Sequence, residues 1–274
     1  MRVVEVGEPG GPDVLRCVER PDPQPGPGEV LVRVAAATVN PTDLAAREGH
    51  APGGVPEPPY VLGWDFAGTV ERVGADVQQL TAGQDVVGMI PWYAAGGRYG
   101  AYAELIAVPQ DWVLPRPEGL GAVEAATVPL NALTAAQFLQ HLGLLEQPEP
   151  VRLLVTGASG AVGGFAVQLA VRAGHDVTAV AGSGDEGWVR ALGATTVLPR
   201  DVDYAALEPF GFVLDAVPVG APVFPAVAPG GSVITTRPVE QAPAAAGIRQ
   251  QVELVREPLE SRTSTLPGPA SRTS

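Results

Sequence analysis

The sequence predicts an α/β protein with an N-terminal β-barrel domain followed by a doubly wound parallel sheet. Three observations lead there. The first 118 residues break into short apolar runs separated by Pro/Gly clusters, the punctuation of an irregular all-β domain. From Val151 onward, strand-like runs alternate with helical ones, as a parallel sheet with crossover helices requires. At 274 residues the chain is longer than the usual single domain, so two cores are expected.

Taken in order, the strands of the first domain are expected at Val30 to Ala35, Asp65 to Val73, Asp85 to Met89 and Gly100 to Val108. Runs such as "PDPQPGPG" and "APGGVPEPP" between them exclude helix. The first domain covers residues 1–118 and the second 119–257, opening with a connector helix in "GAVEAATVPLNALTAAQFLQHLG", where Leu133, Gln137 and Leu142 lie roughly one and two turns apart. "VRLLVT" then reads as a buried strand. "AVGGFAVQLAVRAG" reads as a helix with Val162, Ala166, Leu169 and Ala173 on one face and Gly174 at its end. "DVTAVA" is the next strand and "EGWVRALG" a short helix. "TTVL", "GFVLDAV" and "GSVITT" continue the sheet, and Ile248 to Val255 alternates as an edge strand. Residues 258–274 are polar, proline-broken and repeat SRTS, so disorder is expected there.

Composition narrows the function classes. A formal charge of −13 repels phosphate backbones and anionic lipid, which argues against nucleic-acid or membrane partners and leaves a small-molecule substrate. No apolar run reaches bilayer length, and the N-terminus lacks the basic and apolar blocks of a secretory signal, so a cytoplasmic location is the expectation. One cysteine, Cys17, excludes an intrachain disulfide and any multi-cysteine metal site. All 17 basic side chains are arginine; without lysine there is no Schiff base, no Walker lysine and no Tyr/Lys proton relay.

The sharpest motif is "VTGASGAVGG", set between a strand and a helix with Gly157, Gly160 and Gly163 at three-residue spacing. Glycine there permits a tight turn and lets backbone N–H groups approach a pyrophosphate at a helix N-terminus. The candidate cofactor-binding residues are Gly157, Ala158, Ser159, Gly160, Ala161, Val162 and Gly163. An isolated glycine triplet is as often a plain strand-to-helix turn, but its place within alternating strands and helices favours a dinucleotide. At the tip of the next strand, "AGSG" offers Ser183 and no acid. That leaves room for a 2′-phosphate and favours NADPH, while Asp185 just beyond pulls toward NADH.

"TGASGAVG" also suits a short-chain reductase, but the turn lies past mid-chain and no Tyr-x-x-x-Lys can exist. The whole chain instead resembles the medium-chain dehydrogenase/reductase superfamily, and within it the zinc-free quinone oxidoreductases to which zeta-crystallin belongs. The resemblance rests on "GEPGGPDVL", "PGPGEVLVRVAAATVNPTDLAAREG", "PPYVLGWDFAGTVERVG", "LTAGQDVVG", "GGRYGAYAELIAVP", "EAATVPLNALTA", "TGASGAVGGFAVQLA" and "VRALGA", in that order. It implies a GroES-like barrel joined to a Rossmann domain. Zinc-dependent relatives hold their metal with a Cys just before the T-D pair and a His after the glycine of G-H-E. Here those stretches are "NPTD" and "GWD", so no zinc is expected, and Trp64 stands where the histidine would be, either filling the vacated site or simply packing.

The resemblance implies direct hydride transfer from NADPH to a quinone or α,β-unsaturated carbonyl. Asn40 is expected near the nicotinamide and substrate oxygen, with Asp43 beside it, Thr127 near the carboxamide, and Asp215 and Val217 at the cofactor groove. Asn40 before Pro41 also reads as a turn residue, and Asp43 as a helix cap. His50 is expected to be solvated, and His141 and His175 to be helix-end surface residues. A homodimer through the Ile248 to Val255 strand is the expected assembly. Two departures stand out. "LAAREGHAPG" has no tyrosine where quinone reductases often carry one, leaving the proton donor to water or His50. Relatives also continue beyond Val255 to complete both domains, so an unpaired sheet edge is expected. A frameshift or a genuinely shortened paralogue would account for that ending, and a non-catalytic dinucleotide-binding or partner-binding paralogue is the alternative reading.

Overall fold

The short apolar runs of the N-terminal region pair into two antiparallel sheets in the computed structural model, which describes residues 1–50, 54–243 and 247–252. A three-stranded sheet holds β1 (Arg2–Val6), β2 (Leu15–Glu19) and β4 (Tyr60–Val61) in the order β2-β1-β4. A five-stranded sheet holds β3 (Glu29–Ala37), β5 (Asp65–Val73), β6 (Asp85–Met89), β7 (Leu105–Pro109) and β8 (Val113–Pro115) in the order β7-β3-β5-β6-β8. Val30, Leu31 and Val32 are all buried, so the start of β3 lies inside the unit rather than on a half-solvated face.

The strand expected at Gly100 to Val108 begins only at Leu105. A Cβ on Gly100 would stand 2.3 Å from the Val61 carbonyl oxygen, and the next two amides are already committed. Ala101 N–H donates to Gly63 O at 3.1 Å and Tyr102 N–H to Leu62 O at 3.0 Å. The chain here stitches onto the segment entering β5 and then meets β1 in a single antiparallel bridge, Val3 to Ala103, before β7 begins.

The connector is two helices, α2 (Ala122–Ala126) and α3 (Pro129–His141), not one. Pro129 explains the break, since it disfavours helical backbone at the residue before it. The buried residues of α3 are Pro129, Leu130, Asn131, Thr134, Ala135, Phe138 and Leu139, so the apolar stripe lies one position away from the expected Leu133 and Gln137. Two compact units result, Met1–Leu130 and a second beginning at Asn131, a division later than the expected 118 because Ala125 and Ala126 of α2 pack on Ala67 and Val87.

The second unit is a six-stranded, all-parallel sheet. It comprises β9 (Arg152–Thr156), β10 (Asp176–Ala181), β11 (Thr196–Pro199), β12 (Phe210–Asp215), β13 (Val227–Thr235) and β14 (Arg249–Val252), in the order β11-β10-β9-β12-β13-β14. Helices α4 (Ala161–Arg172) and α5 (Glu186–Ala191) are its crossovers. Leu153 and Val155 face one core with Phe138, Leu139, Ala166, Val167 and Ala170, while Leu154 faces another with Tyr204, Val213 and Phe224. Burial on both faces is why these strands read as unbroken apolar runs. On α4 the fully buried positions are Gly163, Gly164, Ala166, Val167 and Ala170, with Val162 and Leu169 only partly covered. The edge strand expected at Ile248 to Val255 is described as far as Val252, and the tail 258–274 lies outside the described residues. No helix among the described residues is long and apolar enough to cross a membrane.

Candidate functional site

In the second unit, β9 ends at Thr156 and the chain turns through Gly157 at φ +62°, a backbone conformation that favours glycine. Two contacts forbid side chains in this turn. A Cβ on Gly157 would fall 2.0 Å from Val217 Cγ2, and one on Gly163 would fall 2.2 Å from the Gly157 carbonyl oxygen. Helix α4 therefore starts hard against the strand, and its first-turn amides, from Ala161 through Gly163, have no intrahelical acceptor. Those N–H groups and the positive end of the helix dipole suit a diphosphate.

Ser159 and Gly160 form the rim of the turn, and Val162 is half-buried. Ala158 is fully buried and its N–H donates to Val180 O at 3.1 Å, so its amide anchors the turn. Asp215 is also inward. It is fully buried, accepts Thr156 Oγ1 at 2.5 Å, and accepts the Val219 and Gly220 amides at 2.8 and 3.1 Å. Burial pushes its carboxyl above the usual range. It fixes the turn that carries Val217, which is exposed against Gly157. Ser183 is exposed beyond β10, and nearby the sequence missed a cation: Arg200 Nη2 lies 3.7 Å from Asp185 Oδ2.

In the first unit, α1 (Pro41–Arg47) opens on a cluster of buried polar groups. Asp43 accepts the Asn40 and Gly63 amides, both at 2.9 Å. Asp65 accepts Thr38 Oγ1 at 2.9 Å, Asn40 Nδ2 at 3.2 Å and the Leu130 amide at 2.8 Å. Burial raises Asp43 to about 6 and Asp65 to about 7, against hydrogen bonds that pull both down. Tyr102, unforeseen from sequence, donates to Thr38 O at 3.1 Å, and burial beside Asp43 drives its phenol well up. Asn40 and Asp43 thus hold the local backbone in place. Gly63, at φ +109° with a Cβ position 2.7 Å from the Ala101 amide nitrogen, admits no side chain.

Trp64 is 2% exposed, and its ring meets Tyr93 edge to face at 4.7 Å. Trp64 Nε1 and Thr42 Oγ1 are buried without a hydrogen-bond partner. Tyr93, whose hydroxyl donates to Thr42 O at 3.3 Å, also faces a cavity of about 310 Å³ lined by Val55, Pro56, Trp92, Gly96 and Gly97 among others.

Residues 26–118 match the alcohol dehydrogenase GroES-like domain. The chain is 38% identical over 226 residues to a chloroplastic quinone-oxidoreductase QR1 of Triphysaria versicolor, an alignment covering 79% of this chain and 67% of that one. The chain belongs to the quinone oxidoreductase group of the medium-chain dehydrogenase/reductase superfamily. It is also 33% identical to the trans-enoyl reductase tazE of Aspergillus terreus, covering 77% of this chain and 70% of that one. The quinone oxidoreductase of Coxiella burnetii superimposes with a TM-score of 0.78 at 26% identity over 93% of this chain and 82% of that one. The chain spans about two thirds of the length of such curated relatives.

Within this quinone oxidoreductase frame, Asn40 and Trp64 occupy the two positions compared with zinc ligands, and both are absorbed into packing. Among the described residues no three His, Cys, Asp or Glu side chains converge to hold a metal. Thr127 caps α2, exposed, with Oγ1 donating to Glu124 O at 2.8 Å. His50 is exposed, 3.9 Å from Glu48. His175 corrects the expectation of a surface residue. It is 5% exposed, with Nε2 2.6 Å from Leu144 O and Nδ1 accepting the Val151 amide at 3.4 Å. Because an amide can only donate, the ring proton belongs on Nε2.

Proposed function

We propose that this protein is a zinc-independent, NADPH-dependent oxidoreductase that reduces a quinone or another α,β-unsaturated carbonyl. The turn from Gly157 to Gly163 carries the reading: glycine at its two ends lets helix α4 start hard against β9, and the helix-start amides without intrahelical acceptors supply the donors for a diphosphate. The nicotinamide, when bound, supplies hydride, so the protein's share is positioning and exclusion of water.

The substrate class is supported by the quinone and enoyl reductases among the relatives and by the aromatic cavity. Tyr93 offers a partly exposed ring to a planar acceptor, and the buried Trp92 packs behind it. Tyr93, pushed up to about 12 by burial and then by Asp43, stays a neutral phenol at physiological pH. Asp43 and Asn40 act as positioning residues, holding the start of α1 and the Gly63-Trp64 turn. Zinc independence is supported by the lack of a converging donor set among the described residues. A homodimer through β14, one of the two edge strands of the parallel sheet, is proposed with it.

Titration of the protein into NADPH, followed by nicotinamide fluorescence, tests the cofactor reading. A saturable change is expected, and none at millimolar cofactor overturns it. A panel of quinones and enals then tests turnover; binding without turnover on any member overturns the reductase reading. Size-exclusion with light scattering reports the dimer, and a monomer at all concentrations removes it.

A further inference from the structure

We propose that Arg200 sets the preference of this protein for NADPH by pairing with the 2′-phosphate. The inference rests on the dinucleotide reading above and sharpens it to one side chain.

Strand β10 ends at Ala181, and the parallel register sets Ala181 opposite Pro199 of β11. The residues that follow, Gly182 and Arg200, therefore leave neighbouring strands side by side. A Cβ placed on Gly182 would lie 3.2 Å from Cζ and Nη2 of Arg200 and 3.2 Å from Oδ2 of Asp185. Guanidinium and carboxylate thus stand over the same backbone atom, at the strand end where a Rossmann sheet discriminates the adenosine ribose.

The two are 3.7 Å apart with side chains 74% and 44% exposed, an ion pair that contributes little and exchanges readily. A carboxylate alone at this place would repel a phosphate dianion. Beside Arg200 it is neutralised, and it holds the guanidinium over Gly182 instead. The planar fork of Arg200 can take two phosphate oxygens at once, which a ribose hydroxyl cannot match. Ser183, exposed in the same turn, adds a hydroxyl donor.

Calorimetric titration with adenosine 2′,5′-bisphosphate and with 5′-ADP tests the assignment without turnover. The wild type is expected to bind the 2′-phosphorylated probe about tenfold more tightly than 5′-ADP, from charge-assisted hydrogen bonds at an exposed site. Arg200→Ala should bring the two within about twofold, with 5′-ADP affinity and melting temperature unchanged, because the side chain is exposed. Arg200→Glu should invert the preference. Equal affinities in the wild type, or a preference that survives Arg200→Ala, overturn the role of Arg200 while leaving the dinucleotide site standing. Failure of both probes to bind overturns the dinucleotide reading and this one with it.

Discussion

The cluster around Asp65 and the turn between β9 and α4 use polar groups in opposite directions. Around Asp65 the side chains of Thr38, Asn40, Asp43 and Tyr102 turn inward and spend themselves on one another and on the backbone. In the glycine turn the side chains are small and none is ionisable, and the first amides of the helix have no intrahelical acceptor. The first arrangement holds shape, and the second leaves its helix-start donors without an intrahelical partner. Residue chemistry alone does not tell them apart, since carboxylates look more like a site than glycines do.

The largest expected effect breaks the second arrangement. Gly163→Val drives side-chain atoms into the Gly157 carbonyl, and adenine-nucleotide affinity by calorimetry should fall by more than about thirtyfold, since the turn itself must open. Asp65→Ala breaks the first. It leaves the Leu130 amide, Thr38 and Asn40 without their acceptor, and denaturant unfolding should show a loss of about 4 kcal/mol at pH 7, each orphaned group costing about 1–3. If that variant binds 5′-ADP like the wild type, the contrast between a structural cluster and a binding turn is sharpened.

His175→Ala is smaller. It removes the link between Leu144 O and the Val151 amide, and about 1–2 kcal/mol of stability should go with it, partly restored by His175→Gln. The last expected effect is a slope with pH. Asp43 and Asp65 sit at about 6 and about 7 in the folded protein, so it keeps protons that the unfolded chain releases above about 4. Folded-state binding of extra protons makes stability fall as pH rises, so their contribution is complete below about pH 4 and lost through pH 6 and 7. Denaturation midpoints for wild type and Asp65→Asn between pH 5 and 8 check this. The variant should show the shallower decline, and parallel profiles would remove Asp65 as the cause.

Much of this was legible in the chain. Short apolar runs between Pro/Gly clusters, then strands alternating with helices, are local patterns, and they located β3, β5, β6 and the strands and helices of the parallel sheet, while the short β4 and β8 and the break between α2 and α3 went unread. The glycine turn was legible because its requirement is backbone geometry, which glycine spacing records. The bland reading of Asn40 and Asp43, as turn and helix-start residues, is the one the geometry agrees with. The missed features share one cause. In the sequence His175 reads as a surface residue because its partners, Leu144 and Val151, lie in a different loop. Tyr102 was overlooked because Thr38 and Asp43 reach it across the sheet. Arg200 was invisible beside Ser183 because only the register of β10 with β11 brings them together.

By itself the sequence determined the two-part α/β architecture, the order of its strands and helices and the position of the glycine turn, since each follows from interactions among near neighbours. Tertiary structure decided which polar residues face inward. Asn40, Asp43 and Asp215 became supports, Trp64 became core, and Arg200 became the cation at the end of β10. Those outcomes depend on which distant groups share a buried volume, and burial sets both the cost of leaving a polar group unpaired and the partners it can find.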